Sequence, residues 1–144
     1  MRRLMLAAIA LGLAAGPALA ADPVEGVWLT QAQDAKVRIA PCAARADQLC
    51  GEIVWLRAPN DAAGQPKHDE HNPDSKLRSR PIVGLTMIRD FHSTGAGRWE
   101  GGKIYDPKSG KTYNSKMRVA SDGALKVDGC VLMICQTQTW TRAG

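Results

Sequence analysis

The sequence has few aromatic residues, and it lacks a long hydrophobic run beyond its N-terminus. Phe91 is the single phenylalanine, and aromatic side chains make up 5% of the 144 residues. A core must therefore be built mainly from Val, Ile, Leu and Met. No apolar stretch after residue 20 approaches the ~20 residues that a membrane-spanning helix needs. Apolar residues also do not recur at the helical period, which argues against a helical bundle.

A dense basic segment is absent as well. The chain carries 19 Lys and Arg against 14 Asp and Glu. Outside the N-terminal pair Arg2-Arg3, the basic residues are spread thinly from Lys36 to Arg142. Nucleic-acid-binding proteins usually concentrate such residues on one face or in one run. Nucleic acid is therefore not expected as a partner.

Recognisable catalytic and cofactor-binding motifs are also missing. No Gly-x-Ser-x-Gly elbow occurs, and residues 109–112 (Ser-Gly-Lys-Thr) lack the upstream glycine of a phosphate-binding loop, where Tyr105 stands instead. The His68-Asp69-Glu70-His71 cluster has no third ligand on a fixed element, so a solvated loop is favoured over a metal site. No cofactor, metal or catalytic residue is predicted. A hydrolase remains an alternative, because catalytic triads can be dispersed in sequence.

The first 20 residues have the three parts of a secretory signal. Two arginines precede an apolar run over residues 4–13, and Ala18-Leu19-Ala20 offers the small-x-small pattern that signal peptidase accepts. An uncleaved transmembrane helix is the alternative, but two glycines and a proline interrupt a stretch that barely reaches ~20 residues. We therefore expect a periplasmic or secreted protein, with residues 21–144 forming a single domain.

Four cysteines in an exported chain predict two disulfides. Their spacing favours the local pairs Cys42–Cys50 and Cys130–Cys135, and each pair requires a chain reversal because bridged Cα atoms lie within about 7 Å. A zinc site with four cysteine ligands is the alternative. Its paired ligands usually stand closer in sequence than Cys42 and Cys50 do. Disulfides therefore fit the spacing better.

Alternation of apolar and polar residues recurs between turn residues, which predicts strands. The predicted strands, about eight in number, cover residues 24–30, 36–39, 51–56, 81–88, 98–105, 112–119, 125–131 and 136–142. Gly129 is expected at a bulge. Residues 57–80 form one long polar loop with a short helix capped by Asn72. This pattern predicts an all-β fold, a small antiparallel barrel or sandwich.

Residues on the first and last predicted strands favour closure of the sheet into a barrel. Gly26-Val27-Trp28 lies on the first predicted strand and Arg142 on the last. A tryptophan and an arginine so placed can meet where a barrel closes, and a guanidinium over an indole contributes ~0.5–2 kcal/mol. Gly26, Trp28 and Arg142 are therefore predicted to be structural, at the closed end and away from any ligand.

Further motifs resemble a known family. They are Cys50-Gly51-Glu52-Ile53-Val54-Trp55-Leu56, Asp69 with Asn72-Pro73, Arg78-x-Arg80-Pro81-Ile82-x-Gly84, Trp99-x-Gly101-Gly102-x-Ile104-Tyr105-Asp106-Pro107, Gly110-Lys111-Thr112-Tyr113 and Gln138-Thr139-Trp140-Thr141-Arg142. Together they resemble a bacterial exported family catalogued as domain of unknown function 2147. The resemblance implies a lipocalin-like β-barrel in a family without an established activity.

Lipocalin-like folds typically hold small apolar molecules, so the predicted function is periplasmic binding of a small, largely apolar ligand that can carry an anionic group. Arg78 and Arg80 would attract that anionic group at the mouth of the barrel, or else cap loop carbonyls. The aromatic residues would line a cavity, or else pack in the core or pair across strands. The predicted ligand-binding residues are Trp55, Arg78, Arg80, Trp99, Tyr105 and Tyr113. The alternatives are an envelope interaction module with a filled barrel, whose loop 57–80 contacts another protein, and the hydrolase.

Overall fold

A computed structural model of the protein describes residues 12, 13, 16 and 20–144. The predicted signal peptide, residues 1–20, lies almost wholly outside the described residues. The strands of the described part are β1 (Gly26–Leu29), β2 (Ala35–Pro41), β3 (Gln48–Leu56), β4 (Thr86–Gly95), β5 (Arg98–Asp106), β6 (Lys111–Val119), β7 (Leu125–Val131) and β8 (Ile134–Arg142). Nothing helical among these described residues is long and apolar enough to cross a lipid bilayer.

The eight strands form one closed antiparallel barrel in chain order, with β8 returning to pair with β1. The strands form because alternate side chains are apolar and point inward, as Ala35, Val37 and Ile39 do in β2. The same alternation buries Leu125 and Val127 in β7. The prediction of a small all-β antiparallel barrel is confirmed.

Trp28 and Arg142 are register partners across the β1–β8 seam. The Arg142 guanidinium carbon lies 3.9 Å from the centroid of the Trp28 ring. The same guanidinium donates hydrogen bonds to the carbonyl oxygens of Glu25 at 2.6 Å and Pro23 at 2.7 Å. A side chain at Gly26, whose φ is 128°, would overlap this guanidinium. The structure thus brings together the three residues that the sequence places at the barrel closure.

Both local disulfides are formed. Cys42 and Cys50 connect β2 to β3 across their short turn, with Cα atoms 4.9 Å apart. Cys130 and Cys135 are directly opposite each other in the β7–β8 hairpin, with Cα atoms 4.0 Å apart. Each bond therefore fixes a tight chain reversal, and the described residues contain no free cysteine.

Three local predictions differ from the structure. β4 starts at Thr86, not at residue 81, and continues to Gly95, seven residues beyond the predicted end. Gly129 pairs in unbroken register with β6 and β8 and forms no bulge. The short helix is a 3₁₀ turn, Ser75–Leu77, whose cap is Asp74. The Asn72 side-chain oxygen instead accepts a hydrogen bond from the Asp74 backbone N–H, and its amide nitrogen donates to the buried Asp69 carboxylate.

Candidate functional site

A cavity of about 1160 Å³ opens at one end of the barrel. Its lining includes residues of the β1–β2, β3–β4 and β5–β6 connections, and the strand residues Val131 and Ile134 on either side of the β7–β8 turn. Alternate connections of an up-and-down antiparallel barrel lie at the same end, so these four surround a single mouth. The Trp28–Arg142 contact and the β2–β3 disulfide belong to the opposite, filled end.

Apolar side chains from several strands form the wall of the cavity. Ile53 and Val127 are almost fully buried, and Met87 and Ile104 are partly buried. Trp140 is fully buried, belongs to the hydrophobic core and also lines the cavity. Its ring therefore marks the boundary between the filled half of the barrel and the open half. Its indole nitrogen donates a hydrogen bond of 2.9 Å to the Gln138 side chain.

Charged side chains of both signs and two histidines surround the mouth. The charged residues are Asp34, Arg57, Asp61, Lys67, Glu70, Asp106 and Lys108, and the histidines are His68 and His71. The Lys108 ammonium pairs with Asp34 and so connects the β5–β6 turn to the β1–β2 turn. Burial raises the pKa of Asp34, but hydrogen bonds from Lys108 and Thr30 outweigh it and hold that pKa below the usual value of 3.8. This carboxylate stays ionised and keeps the two turns together.

A buried polar network holds the β3–β4 loop, residues 57–85, against the barrel. The Asp69 side chain is completely buried. Its Oδ2 accepts hydrogen bonds of 2.8 Å from the Asn72 amide and from the Arg80 Nε, and its Oδ1 accepts one of 2.5 Å from the Tyr105 hydroxyl. The Arg80 guanidinium also lies 5.7 Å from the centre of the Tyr105 ring. Both oxygens of the carboxylate thus accept hydrogen bonds, which offsets the cost of its burial.

The network shifts the pKa values of both acidic members. Burial raises the pKa of Asp69, but hydrogen bonds from Tyr105, Asn72 and Arg80 outweigh it and leave the pKa below the usual 3.8. Burial and the neighbouring Asp69 carboxylate raise the pKa of Tyr105 to about 12. Asp69 is therefore the ionised acceptor and Tyr105 the neutral donor over the whole physiological range.

Two further contacts complete the docking of this loop. Arg78 Nε donates a hydrogen bond of 2.8 Å to the backbone carbonyl of Asn72. Gly110, with a φ of 72°, packs so closely on the His71 carbonyl that any side chain there would overlap it. The loop therefore contacts the β5–β6 turn where His71 meets Gly110. This contact holds the loop that supplies Lys67, His68 and Ile82 to the cavity.

The four predicted ligand-binding aromatic residues lie in four different environments. Tyr113 lines the cavity. Tyr105 belongs to the Asp69 network. Trp99 is buried in the core, where its Nε1 has no hydrogen-bond partner among the described atoms. Trp55 lies on the outer surface, 38% exposed, with the Lys36 ammonium 5.0 Å from its ring centre.

The outward position of Trp55 follows from an irregularity in β3. Val37 pairs with Ile53, whereas the adjacent Lys36 pairs with Trp55, so that Val54 is an extra residue. Such a bulge resets the alternation of side chains. Leu56 consequently lines the cavity and Trp55 does not.

The two predicted headgroup arginines also lie off the cavity lining. Arg80 donates to Asp69 from two nitrogens, with Nη2 at 2.8 Å from Oδ2. Arg78 is bound to the loop backbone, as described above. Arg78 thus binds a loop carbonyl, as the alternative expectation had it, whereas Arg80 binds a buried carboxylate, which neither expectation included.

Sequence reasoning missed most of the apolar lining. Met87 and Val127 carry no motif beyond strand alternation, and Ile104 belongs to a family motif without having been predicted as a ligand contact. One signal was available: Leu125, Val127 and Gly129 occupy successive inward positions of β7, and the last has no side chain. The space left at Gly129 faces Tyr113 and Ile104, and a change from large residues to glycine along an inward face indicates where a barrel interior opens.

The hydrolase alternative gains no support from the histidines. His71 lines the cavity, but its closest charged partner is Glu70, at 3.4 Å, and both side chains are more than half exposed. No hydroxyl is hydrogen-bonded to His71 or His92 in the described part of the chain. Nor does any group of three His, Cys, Asp or Glu residues with metal-binding geometry occur among residues 20–144.

The chain matches a family described as "Uncharacterized protein conserved in bacteria (DUF2147)" over residues 26–142. It is also similar to a solved structure titled "Protein HP1028 from the human pathogen Helicobacter pylori belongs to the lipocalin family". The two share 24% sequence identity and a TM-score of 0.71, over 84% of this chain and 83% of that one. No curated protein matches the chain. The structural similarity shows a lipocalin-like fold.

Proposed function

This chain belongs to the DUF2147 family, and we propose that it binds a small, largely apolar ligand in the open half of its lipocalin-like barrel. The cavity of about 1160 Å³ is the observation that carries this proposal. Ligand pockets for small molecules usually measure about 300–1,000 Å³ and combine apolar walls with a few polar groups. The walls built from Ile53, Met87, Ile104 and Val127 match that description.

The polar end of the ligand would lie at the mouth, and we propose that it is anionic. Lys67 and Arg57 both line the cavity. Arg57 donates a 3.4 Å hydrogen bond to the Gln33 side chain, a neutral partner. Arg80, in contrast, already neutralises Asp69. We therefore assign headgroup binding to Lys67 and Arg57. This assignment replaces the sequence-based prediction of Arg78 and Arg80.

We place this function in the periplasm or outside the cell. The signal-like residues 1–20 and the two disulfides support this location, because disulfides persist in oxidising compartments. The alternative of an interaction module with a filled barrel fits less well, since apolar wall residues border an open cavity. A hydrolase would need a nucleophile and a base in contact, and no histidine hydrogen-bonded to a hydroxyl among residues 20–144 supports it.

Native mass spectrometry of the purified protein tests the proposal first, because a ligand retained from the cell adds its mass to the intact chain. Titration with a dansylated fatty acid tests it independently. We expect this probe to quench the fluorescence of Trp140, so Trp140→Phe should remove most of the signal and Trp55→Phe little of it. No binding across a panel of apolar probes would contradict the proposed function.

The headgroup assignment has its own test. Lys67→Ala should weaken binding of a fatty acid more than binding of the corresponding alcohol, because only the acid presents a charge to the ammonium. Lys76→Ala is the matched control, since Lys76 lies on the same loop in the 3₁₀ turn but does not line the cavity. Equal losses for acid and alcohol would contradict an anionic headgroup while leaving apolar binding intact.

A further inference from the structure

The tip of the β7–β8 hairpin is an apolar protrusion at the cavity mouth. Val131, Leu132, Met133 and Ile134 are consecutive, and their exposed fractions are 61%, 89%, 95% and 77%. Single exposed apolar residues are ordinary on protein surfaces, whereas a contiguous apolar patch marks an interaction site. We propose that this hairpin tip inserts into the surface of a phospholipid bilayer and docks the cavity mouth there.

The hairpin is built to project these side chains. The Cys130–Cys135 disulfide joins the two strands next to the tip. The strands cannot separate there, so the four apolar residues stay at the end of the hairpin. Leu132 adopts a φ of 52°, a conformation that glycine and asparagine accept more readily than leucine does. Leu132 therefore occupies a turn position where glycine or asparagine would place less strain on the backbone.

The local sequence suits a bilayer interface. No charged residue occurs from Gly129 to Thr141, so inserting the tip removes no ionised group of the hairpin from water. Gln136, Thr137 and Gln138 follow on β8 and supply uncharged polar side chains beside the apolar ones. This arrangement provides an apolar tip above a neutral polar collar, which a lipid headgroup region can solvate.

The area of the tip favours a bilayer over a second protein. Four aliphatic side chains remove roughly 250–500 Å² from water when fully buried. A stable protein–protein interface buries about 800 Å² on each partner and needs a complementary surface. A fluid bilayer needs no such complementarity. A second copy of the chain is therefore the less favoured occupant, and it becomes an outcome of the test.

The tip is also continuous with the proposed ligand site. Two of the four tip residues, Val131 and Ile134, line the cavity, whereas Leu132 and Met133 do not. An apolar molecule would thus pass between bilayer and cavity along an uninterrupted apolar surface. The docking itself needs no ligand, so it stands or fails separately from the proposed function.

Flotation of the purified protein with phosphatidylcholine or phosphatidylglycerol vesicles tests the inference. We expect binding to both lipids and a loss of at least about tenfold in partition for the double variant Leu132→Asn, Met133→Gln. Met133→Leu keeps an apolar tip and should bind like the parent protein. Val83→Gln removes a 45% exposed apolar side chain outside the hairpin and should also bind normally.

Several results would overturn it: no flotation of the parent protein, equal flotation of the parent and the double variant, or self-association that the double variant abolishes in the absence of vesicle binding. A second measurement, of tryptophan fluorescence, tests insertion without adding polar residues to the tip. In Met133→Trp the added indole should be quenched by brominated phospholipid, and quenching no greater than in the parent would contradict insertion. Retained probe binding in the double variant would show that its cavity is intact.

Discussion

The Tyr105 hydroxyl donates a 2.5 Å hydrogen bond to Oδ1 of Asp69, a carboxylate with no exposed surface. This bond joins the barrel wall to the β3–β4 loop, since Tyr105 lies on β5 and Asp69 lies in the loop. The same loop supplies Lys67 and Ile82 to the cavity. A single buried interaction therefore connects the stability of the barrel to the shape of its mouth.

Replacing Tyr105 by Phe should lower the free energy of unfolding by about 1.5–3 kcal/mol, because it removes a hydrogen bond to a buried charged group. Urea denaturation measures the change. Tyr113→Phe is the matched control: the Tyr113 hydroxyl makes no hydrogen bond among the described residues, so its loss should change stability little. Equal effects of the two substitutions would show that the Asp69 contact is not the source.

The same pair predicts alkaline behaviour. The pKa of Tyr105 rises from 10.0 to about 12 through burial and the adjacent Asp69 carboxylate. Since the folded pKa lies above the unfolded one, the stabilisation is complete below pH 10.0 and is lost as the pH rises through about 12. In the Tyr113→Phe background Tyr105 is the sole tyrosine, so ultraviolet absorbance of phenolate follows it directly. Ionisation centred at the ordinary value in the folded protein would contradict the network.

Arg142→Met should destabilise the barrel by about 1–2 kcal/mol, because it removes the cation–π contact with Trp28 and two hydrogen bonds to exposed carbonyls while retaining much of the apolar stem. Thermal and urea unfolding measure the loss. Probe affinity should not change, since the cavity opens at the opposite end. Loss of binding without loss of stability would reverse the assignment of closed end and mouth.

The fold follows from local sequence patterns more completely than the site does. Alternation along β2 and β7 reports which side chains face inward, and Trp28 with Arg142 indicates where the strands close. Trp55 shows the limit: its outward direction depends on one extra residue at Val54, and that bulge is a property of the β2–β3 register. A strand pattern alone does not specify such a register shift.

The roles of Arg78 and Arg80 also cannot be predicted from the sequence alone. Arg80 reads as a free cation in the sequence, and its neutralising partner Asp69 becomes evident only when the loop folds back on β5. Tyr105 and Asp69 are 36 residues apart in the chain. A spacing pattern identifies such residues as a group, but their function depends on which of them become buried together.

The last prediction concerns the space that Gly129 leaves. A Cβ at this position would lie 3.8 Å from the Tyr113 Cβ and 4.0 Å from the Ile104 Cγ2, which are ordinary contact distances, and all three residues line the cavity. Gly129→Leu should therefore fold normally and project its side chain into the ligand space. Displacing about 60 Å² of ligand contact at ~25 cal/mol per Å² corresponds to at least about tenfold weaker probe binding.

Gly129→Ala supplies the control, because a methyl group fits at those distances and leaves most of the cavity open. Its affinity for the dansylated fatty acid should stay close to that of the parent protein. Both variants keep the β7 register, so their urea unfolding should be similar to that of the parent. Undiminished probe binding by a folded Gly129→Leu variant would show that the probe binds outside the barrel, and the cavity would then lose its claim to be the ligand site.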